Sequence, residues 1–235
     1  MSPAAPTGRA GRAAPTGPGT VLQYAVEALR GEIVGGELRP GDQVIQEDLA
    51  DRLGVSVAPI REALRVLEQE GQLTYLPRRG YFVTRLDLDD LRQIYDLRQL
   101  LEERAARLAL PRIDAEGLER IERAAGECAA AARGAEVAAE LEANRRFHFE
   151  ILAAADQPHL IRLIRLLWDS TGTYRAIYYN SAAEREATVE AHERILAAIR
   201  VGDGDRLVAE LDAHRGRALE VLGKLLELAP RPPDV

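Results

Sequence analysis

The sequence predicts a mainly α chain, with an N-terminal winged helix-turn-helix followed by an all-α antiparallel bundle of six helices. Three observations carry that expectation. Residues 46–65, QEDLADRLGVSVAPIREALR, set a small residue (Ala50), a turn glycine (Gly54) and an apolar plug (Ile60) at the offsets that two helices meeting at a short turn require. Directly behind them, EGQLTYLPRRGYFVTRL holds two short β-like runs around a basic turn. From residue 87 onward the apolar residues recur at helical spacing, and the segments are separated by brief turns.

Taken in order, residues 1–19 are rich in Ala, Pro, Gly and Thr and show no periodicity, which predicts a disordered arm. Thr20 can cap a first helix reaching about residue 34, with Val21, Ala25, Ala28, Leu29 and Ile33 as its apolar stripe. Gly35 and Gly36 end it, and residues 38–42 form a turn. Val44 and Ile45 can make a small strand that joins the wing. In the helix-turn-helix, Leu49, Leu53, Leu64 and Leu67 complete one buried face around Ala50 and Ile60. The second helix starts after Ser56, a favoured N-cap, with Pro59 in its first turn, where the missing N–H does no harm. Its outer side carries Ala58, Arg61 and Arg65, the small and basic residues that a helix entering a major groove presents. The same arginines would suit a plain solvated face, and Glu62, Glu68 and Glu70 nearby keep that alternative open.

Leu73–Leu76 and residues 81–84 read as two strands joined by Pro77, Arg78, Arg79 and Gly80. An arginine-tipped hairpin behind a helix-turn-helix is a wing, and its guanidinium forks suit phosphates and base edges. The head is expected to span 20–85. The body, 86–229, divides into helices over about 87–110, 114–133, 135–154, 159–179 (kinked near Gly172), 182–201 and 205–228, with a Pro-rich tail at 230–235.

At 235 residues the chain has room for one or two domains, and 46% hydrophobic against 29% charged residues suits a globular core. The single cysteine, Cys128, rules out a disulfide framework and points to the cytoplasm. No run approaches the roughly 20 apolar residues of a membrane helix, and no apolar signal-peptide core begins the chain. The net charge of −7 at first argues against nucleic acid. Through Arg85, however, ten arginines balance ten acids, and the whole deficit lies in the body. Such a neutral head needs a dimer, rather than bulk charge, to hold DNA.

These motifs resemble the GntR family of bacterial transcription regulators, in its FadR subfamily. The resemblance rests on Leu49-Ala50, Gly54-Val55-Ser56, Pro59-Ile60-Arg61-Glu62-Ala63-Leu64, and Leu67 with Gly71. The body resembles the FadR C-terminal type (FCD) ligand-binding domain, and six helices rather than seven suggest the VanR-like branch. The resemblance implies a homodimer on palindromic double-stranded DNA, away from membranes. It implies DNA contacts from Ser56, Val57, Ala58, Arg61, Arg65, Arg78, Arg79 and Gly80. One departure stands out: the family usually has an arginine directly after the serine, and here that position is Val57, which can still touch a thymine methyl.

Three of the four histidines form a pattern. Asn144 and His148 are i and i+4 on one helix and share a face. His192 lies 11 residues before Asp203, the centre of a predicted turn, and His214 lies 11 after it, so an antiparallel hairpin sets the two level. Three imidazoles with open positions suit a divalent transition metal, Zn²⁺ first, with Ni²⁺ or Mn²⁺ as alternatives. The resemblance implies the same ligand set, with Asn144 standing where an aspartate is common. A neutral amide there makes the site more cationic and more dependent on an anionic effector. The resemblance also places Arg98 in the effector pocket beside Asn144, where its fork would pair with the carboxylate of a small organic acid or sugar acid. The alternative for Arg98 is an i,i+4 pair with Glu102, and for the histidines a metal-free polar core. Trp168, Tyr174, Tyr178 and Tyr179 are expected in the core or at a dimer surface, and His159 at the surface.

The expected function is a ligand-controlled transcription regulator, a repressor, with no catalytic residues. Two other classes stay in view. A metal sensor would respond to the ion alone. A three-histidine zinc hydrolase would need a base at the metal, and Glu193 points away from its neighbour His192 on a helix.

Overall fold

The computed structural model describes residues 18–134 and 137–228, so the predicted arm lies outside the described residues up to 17, as does the tail at 230–235. The elements run α1 (Pro18–Val34), β1 (Gln43–Val44), α2 (Gln46–Leu53), α3 (Val57–Gln69), β2 (Leu73–Leu76), β3 (Gly80–Val83), α4 (Leu88–Ala109), α5 (Ala115–Gly134), α6 (Val137–Ala153), α7 (Pro158–Ser170), α8 (Gly172–Tyr179), α9 (Ala182–Val201) and α10 (Gly204–Leu228). A short 3-10 turn, Leu110–Arg112, follows α4.

In the head, α1 packs on α3, and Leu29, Ile33, Leu49, Ala50, Ile60, Leu64 and Leu67 form its core with Leu73 and Val83 from the sheet. Helix α1 begins at Pro18, two residues before Thr20. Gly54 closes α2 in the left-handed region at φ 65°, where a Cβ is costly. The three strands order β1-β3-β2, all antiparallel, with Gln43 opposite Phe82 and Leu73 opposite Val83. The wing turn holds Arg78 at φ 66° and Gly80 at φ 91°.

The body is a helical bundle. Asp87 caps α4 in a reciprocal box with Asp90, and Asp114 accepts from the Gly117 N–H to start α5. Phe147, Ile151, Trp168, Ile195 and Leu211 lie in the larger core. A second cluster, with Leu91, Tyr95, Tyr174, Tyr178, Tyr179 and Leu222, lies where α8 meets α4 and α10. The fourth expected helix is not merely kinked. It breaks at Thr171 into α7 and α8, giving seven α-helices among the described residues of the body where six were expected. Thr171 turns its hydroxyl back onto the Trp168 carbonyl (3.1 Å), competing with the backbone ladder at that point. No described helix is long and apolar enough to cross a membrane.

Candidate DNA surface and effector pocket

On the head, Ser56, Ala58, Arg61, Arg65, Arg78 and Arg79 are exposed, and Gly80 is half-buried in the wing. Ser56 is the N-cap of α3 by backbone geometry, yet its hydroxyl makes no capping bond, so it stands free at the helix N-terminus. Arg61 Nε donates to Gln46 Oε1 at 2.9 Å, which holds the guanidinium along the outer face of the motif. Gln43 Nε2 donates to the Arg79 carbonyl at 2.7 Å and ties the wing tip to β1. Val57 is half-buried against the head core instead of standing clear of it.

In the body, α6, α9 and α10 bring His148, His192 and His214 together, and all three are buried. Their ring centroids form a near-equilateral triangle of 5.4, 5.2 and 5.3 Å. One nitrogen from each ring lies within 4.8 Å of the others. Both nitrogens of His148, and Nδ1 of His192 and of His214, have no hydrogen-bond partner. Burial holds His148 and His192 well below the usual imidazole range, with the neighbouring His214 adding to the effect. Burial likewise lowers His214, to about 4. The rings are therefore neutral at pH 7, with lone pairs available. Unpartnered buried nitrogens that face one another are what a metal ion would satisfy, so these residues fit a divalent transition metal.

Asn144 is in the cluster, but its amide oxygen is directed at His192 Nε2, 3.1 Å away. In the tautomer protonated on Nε2, that nitrogen donates and Nδ1 of His192 carries the lone pair. From there the amide can orient the ring or reach, with it, an ion between them. Phe147 stacks on His192 at 3.9 Å between centroids and fixes the ring plane.

Arg98 makes the i,i+4 pair with Glu102 given above as its alternative, and it also faces the pocket. It lines the pocket beside the histidines, and its Nε donates to Glu102 Oε1 at 2.8 Å. Glu102 also receives Arg215 Nη1 at 2.6 Å, so one buried carboxylate answers two guanidiniums. Trp168, Tyr178 and Tyr179, expected in the core or at a dimer surface, are buried but also form pocket walls. Arg98 lies 4.2 Å above the Trp168 ring. Sequence reasoning missed Arg175 and Arg215. A signal for Arg175 existed: it falls seven residues after Trp168 and four before Tyr179, a charge on an otherwise aromatic face. Cys128 is buried, His159 is exposed, and Glu193 is exposed beside buried His192, away from the cluster.

A winged helix-turn-helix on a helical body with a pocket lined by histidines, arginines and aromatic rings defines a class, the DNA-binding regulators with a separate sensing domain. The particular family follows from comparison with known proteins. Residues 23–83 match the gntR family of bacterial regulatory proteins, and residues 93–217 match the FCD domain. The chain belongs to the GntR family and is a transcription regulator with an FCD effector-binding domain. A relative from Bacillus subtilis (strain 168), the uncharacterized HTH-type transcriptional regulator YdhC, is 30% identical over 200 residues, 85% of this chain and 89% of the relative. The HTH-type transcriptional repressor RspR of Escherichia coli (strain K12) is 25% identical over 207 residues, 85% of this chain and 87% of RspR. The solved structure of E. coli McbR/YncC superposes with a TM-score of 0.78 at 24% identity, covering 87% of this chain and 97% of that one. The last likeness speaks to the fold.

Proposed function

We propose that this regulator is a repressor that binds a palindromic operator as a homodimer, and that a small carboxylate or sugar acid, held together with a divalent metal ion in the body pocket, controls it. The head, 20–85, reads DNA through α3 and the wing, and the body, 86–229, senses the ligand and pairs with its partner. The observation that carries the reading is the histidine triangle: three neutral imidazoles, each with at least one unpartnered buried nitrogen, next to a pocket lined by arginines. His148, His192 and His214 would hold the ion, Zn²⁺ first, and Asn144 would orient His192. The metal, when bound, supplies a positive centre for an anionic oxygen. Arg98 and the neighbouring guanidiniums add donors for the remaining oxygens.

Dimerisation is supported by an apolar surface. Leu97 and Leu100 on α4, with Leu163 and Leu166 on α7, are exposed on two helices that pack side by side. Exposed leucines on adjoining helices are better buried against a second copy. Repression is favoured by the name of the RspR relative.

The test is a gel shift of the purified protein on DNA from the region upstream of its own gene, with and without a chelator and a panel of small carboxylic acids, alongside metal analysis. Specific binding that Arg61→Ala removes and that one acid releases supports the reading. Absence of specific binding, or a response to metal alone with no acid effective, would overturn it, the second outcome in favour of a metal sensor.

A further inference from the structure

The pocket is too small for its proposed ligand as it stands. The cavity measures about 30 Å³, room for roughly two waters. A carboxylate can enter only if a wall moves. The walls are unequal in this respect. Helices α4, α6, α7 and α10 are 13 to 25 residues long, whereas α8 has 8 residues and starts at the break after Thr171.

Arg175 is the charged residue of α8 that faces the pocket. It is buried, and no carboxylate lies within ion-pair distance of it among the described residues. Arg98 and Arg215 share Glu102, and Asp169 is held by Arg145 at 3.0 Å. Arg175 has only a hydroxyl, donating from Nη1 to Thr171 Oγ1 at 2.6 Å, and the face of Trp168 at 4.7 Å. Burial, with Arg98 nearby, lowers its pKa to about 10. A buried guanidinium left without a counter-ion is a strong recruiter of one.

The same short helix reaches the head. Tyr174, adjacent to Arg175, accepts from the Leu86 N–H at 2.7 Å and donates to the Leu86 carbonyl at 3.0 Å. Leu86 belongs to the short link between β3 and α4. Arg175 also lines a cleft between body and head, bordered by Arg30 and Val34 of α1. A methyl group placed on Gly172 would sit 3.9 Å from both Val34 Cγ2 and Arg175 Nη2.

We infer that Arg175, rather than Arg98, receives the carboxylate of a small organic acid, and that α8 passes its displacement through Tyr174 to Leu86 and so to the DNA-binding head. This deepens the proposed function and rests on its placement of the ligand pocket. An anion at Arg175 competes with Thr171 for the guanidinium, loosens the break that positions α8, and shifts the tyrosine that pins the link. With Arg175 on Thr171 in the free state and on the anion in the bound one, the ligand would make the differential contacts that coupling requires.

Trp168 is the chain's only tryptophan, so its fluorescence reads the pocket directly. The full-length zinc-loaded protein is titrated with acetate, pyruvate and gluconate. At least one should give a saturable change. Arg175→Gln should raise its midpoint tenfold or more, and Arg175→Lys should restore part of the affinity. Hydrogen exchange of the peptide covering residues 84–90 reads the link. The anion should change its exchange in the wild type, whereas Tyr174→Phe should keep the fluorescence midpoint and lose that change. A wild type that no panel anion titrates, or an Arg175→Gln midpoint equal to wild type, refutes the receptor. A Tyr174→Phe link that still responds refutes the relay. None of these readouts uses DNA, so a failed gel shift would remove the regulatory reading and leave them standing.

Discussion

Glu140 offers a quantitative test of the body's electrostatics. It is wholly buried on α6, and neither carboxylate oxygen has a hydrogen-bond partner. Arg185 Nε stands 3.9 Å from Oε2, beyond hydrogen-bond reach, while its Nη1 donates to the Tyr179 carbonyl at 2.8 Å. Burial, only partly offset by Arg185, raises the Glu140 pKa from 4.5 to about 7. The folded state thus binds this proton more tightly than the unfolded chain. The stability associated with the protonated carboxyl is fully present below pH 4.5 and is lost as pH rises through about 7. A shift of that size corresponds to roughly 3 kcal/mol at full strength, and relaxation around the buried carboxylate, with Arg185 close by, reduces it to about 1–2 kcal/mol. Glu140→Gln keeps the shape and removes the charge. Its melting temperature should match wild type near pH 5 and exceed it at pH 8 by about 3–6 °C for a chain of this size. The assay is a pair of thermal melts across pH 5–8 in the metal-free state. Parallel pH profiles for the two proteins would refute the argument, because Glu140 would then feel the same environment folded and unfolded.

Other outcomes follow from the head, the histidine triangle and the leucine surface. Arg61→Ala should weaken operator binding by about 10–100-fold with an unchanged melt, measured by anisotropy. Replacing Arg78 and Arg79 together by Ala should instead lower the salt dependence of DNA binding, by about one unit of slope for each phosphate no longer neutralised. Zinc at a hundredfold over its Kd should stabilise the body by about 2.7 kcal/mol, and His192→Ala should abolish both that shift and the bound zinc seen by elemental analysis. Leu100→Glu should convert a dimer to a monomer in sedimentation, leaving the helical content intact. Ile60→Ala, at a site with no exposure in the head core, should cost about 2–5 kcal/mol in denaturant unfolding.

Much of this molecule is determined by local pattern. The Ala50, Gly54 and Ile60 spacing is enough to place α2 and α3, because a turn glycine and one apolar stripe leave few ways to fold such a hairpin. The wing follows from two short β runs around a basic turn. The histidine triangle is also legible, since equal spacing on either side of Asp203 sets His192 and His214 level and helix periodicity places His148 with Asn144. What periodicity supplies is the face a residue occupies, not the group it meets. Only the tertiary structure turns the Asn144 oxygen onto His192, and only it lets Glu102 answer both Arg98 and Arg215, the latter 113 residues away. The break at Thr171 re-aims everything after it, so aromatic residues that read as core become pocket walls and Arg175 enters the pocket with no carboxylate at ion-pair distance among the described residues. The Tyr174–Leu86 contact joins residues 88 apart in sequence. Such pairings depend on how helices rotate and stack against one another, which is settled by close packing of the whole chain rather than by any one segment.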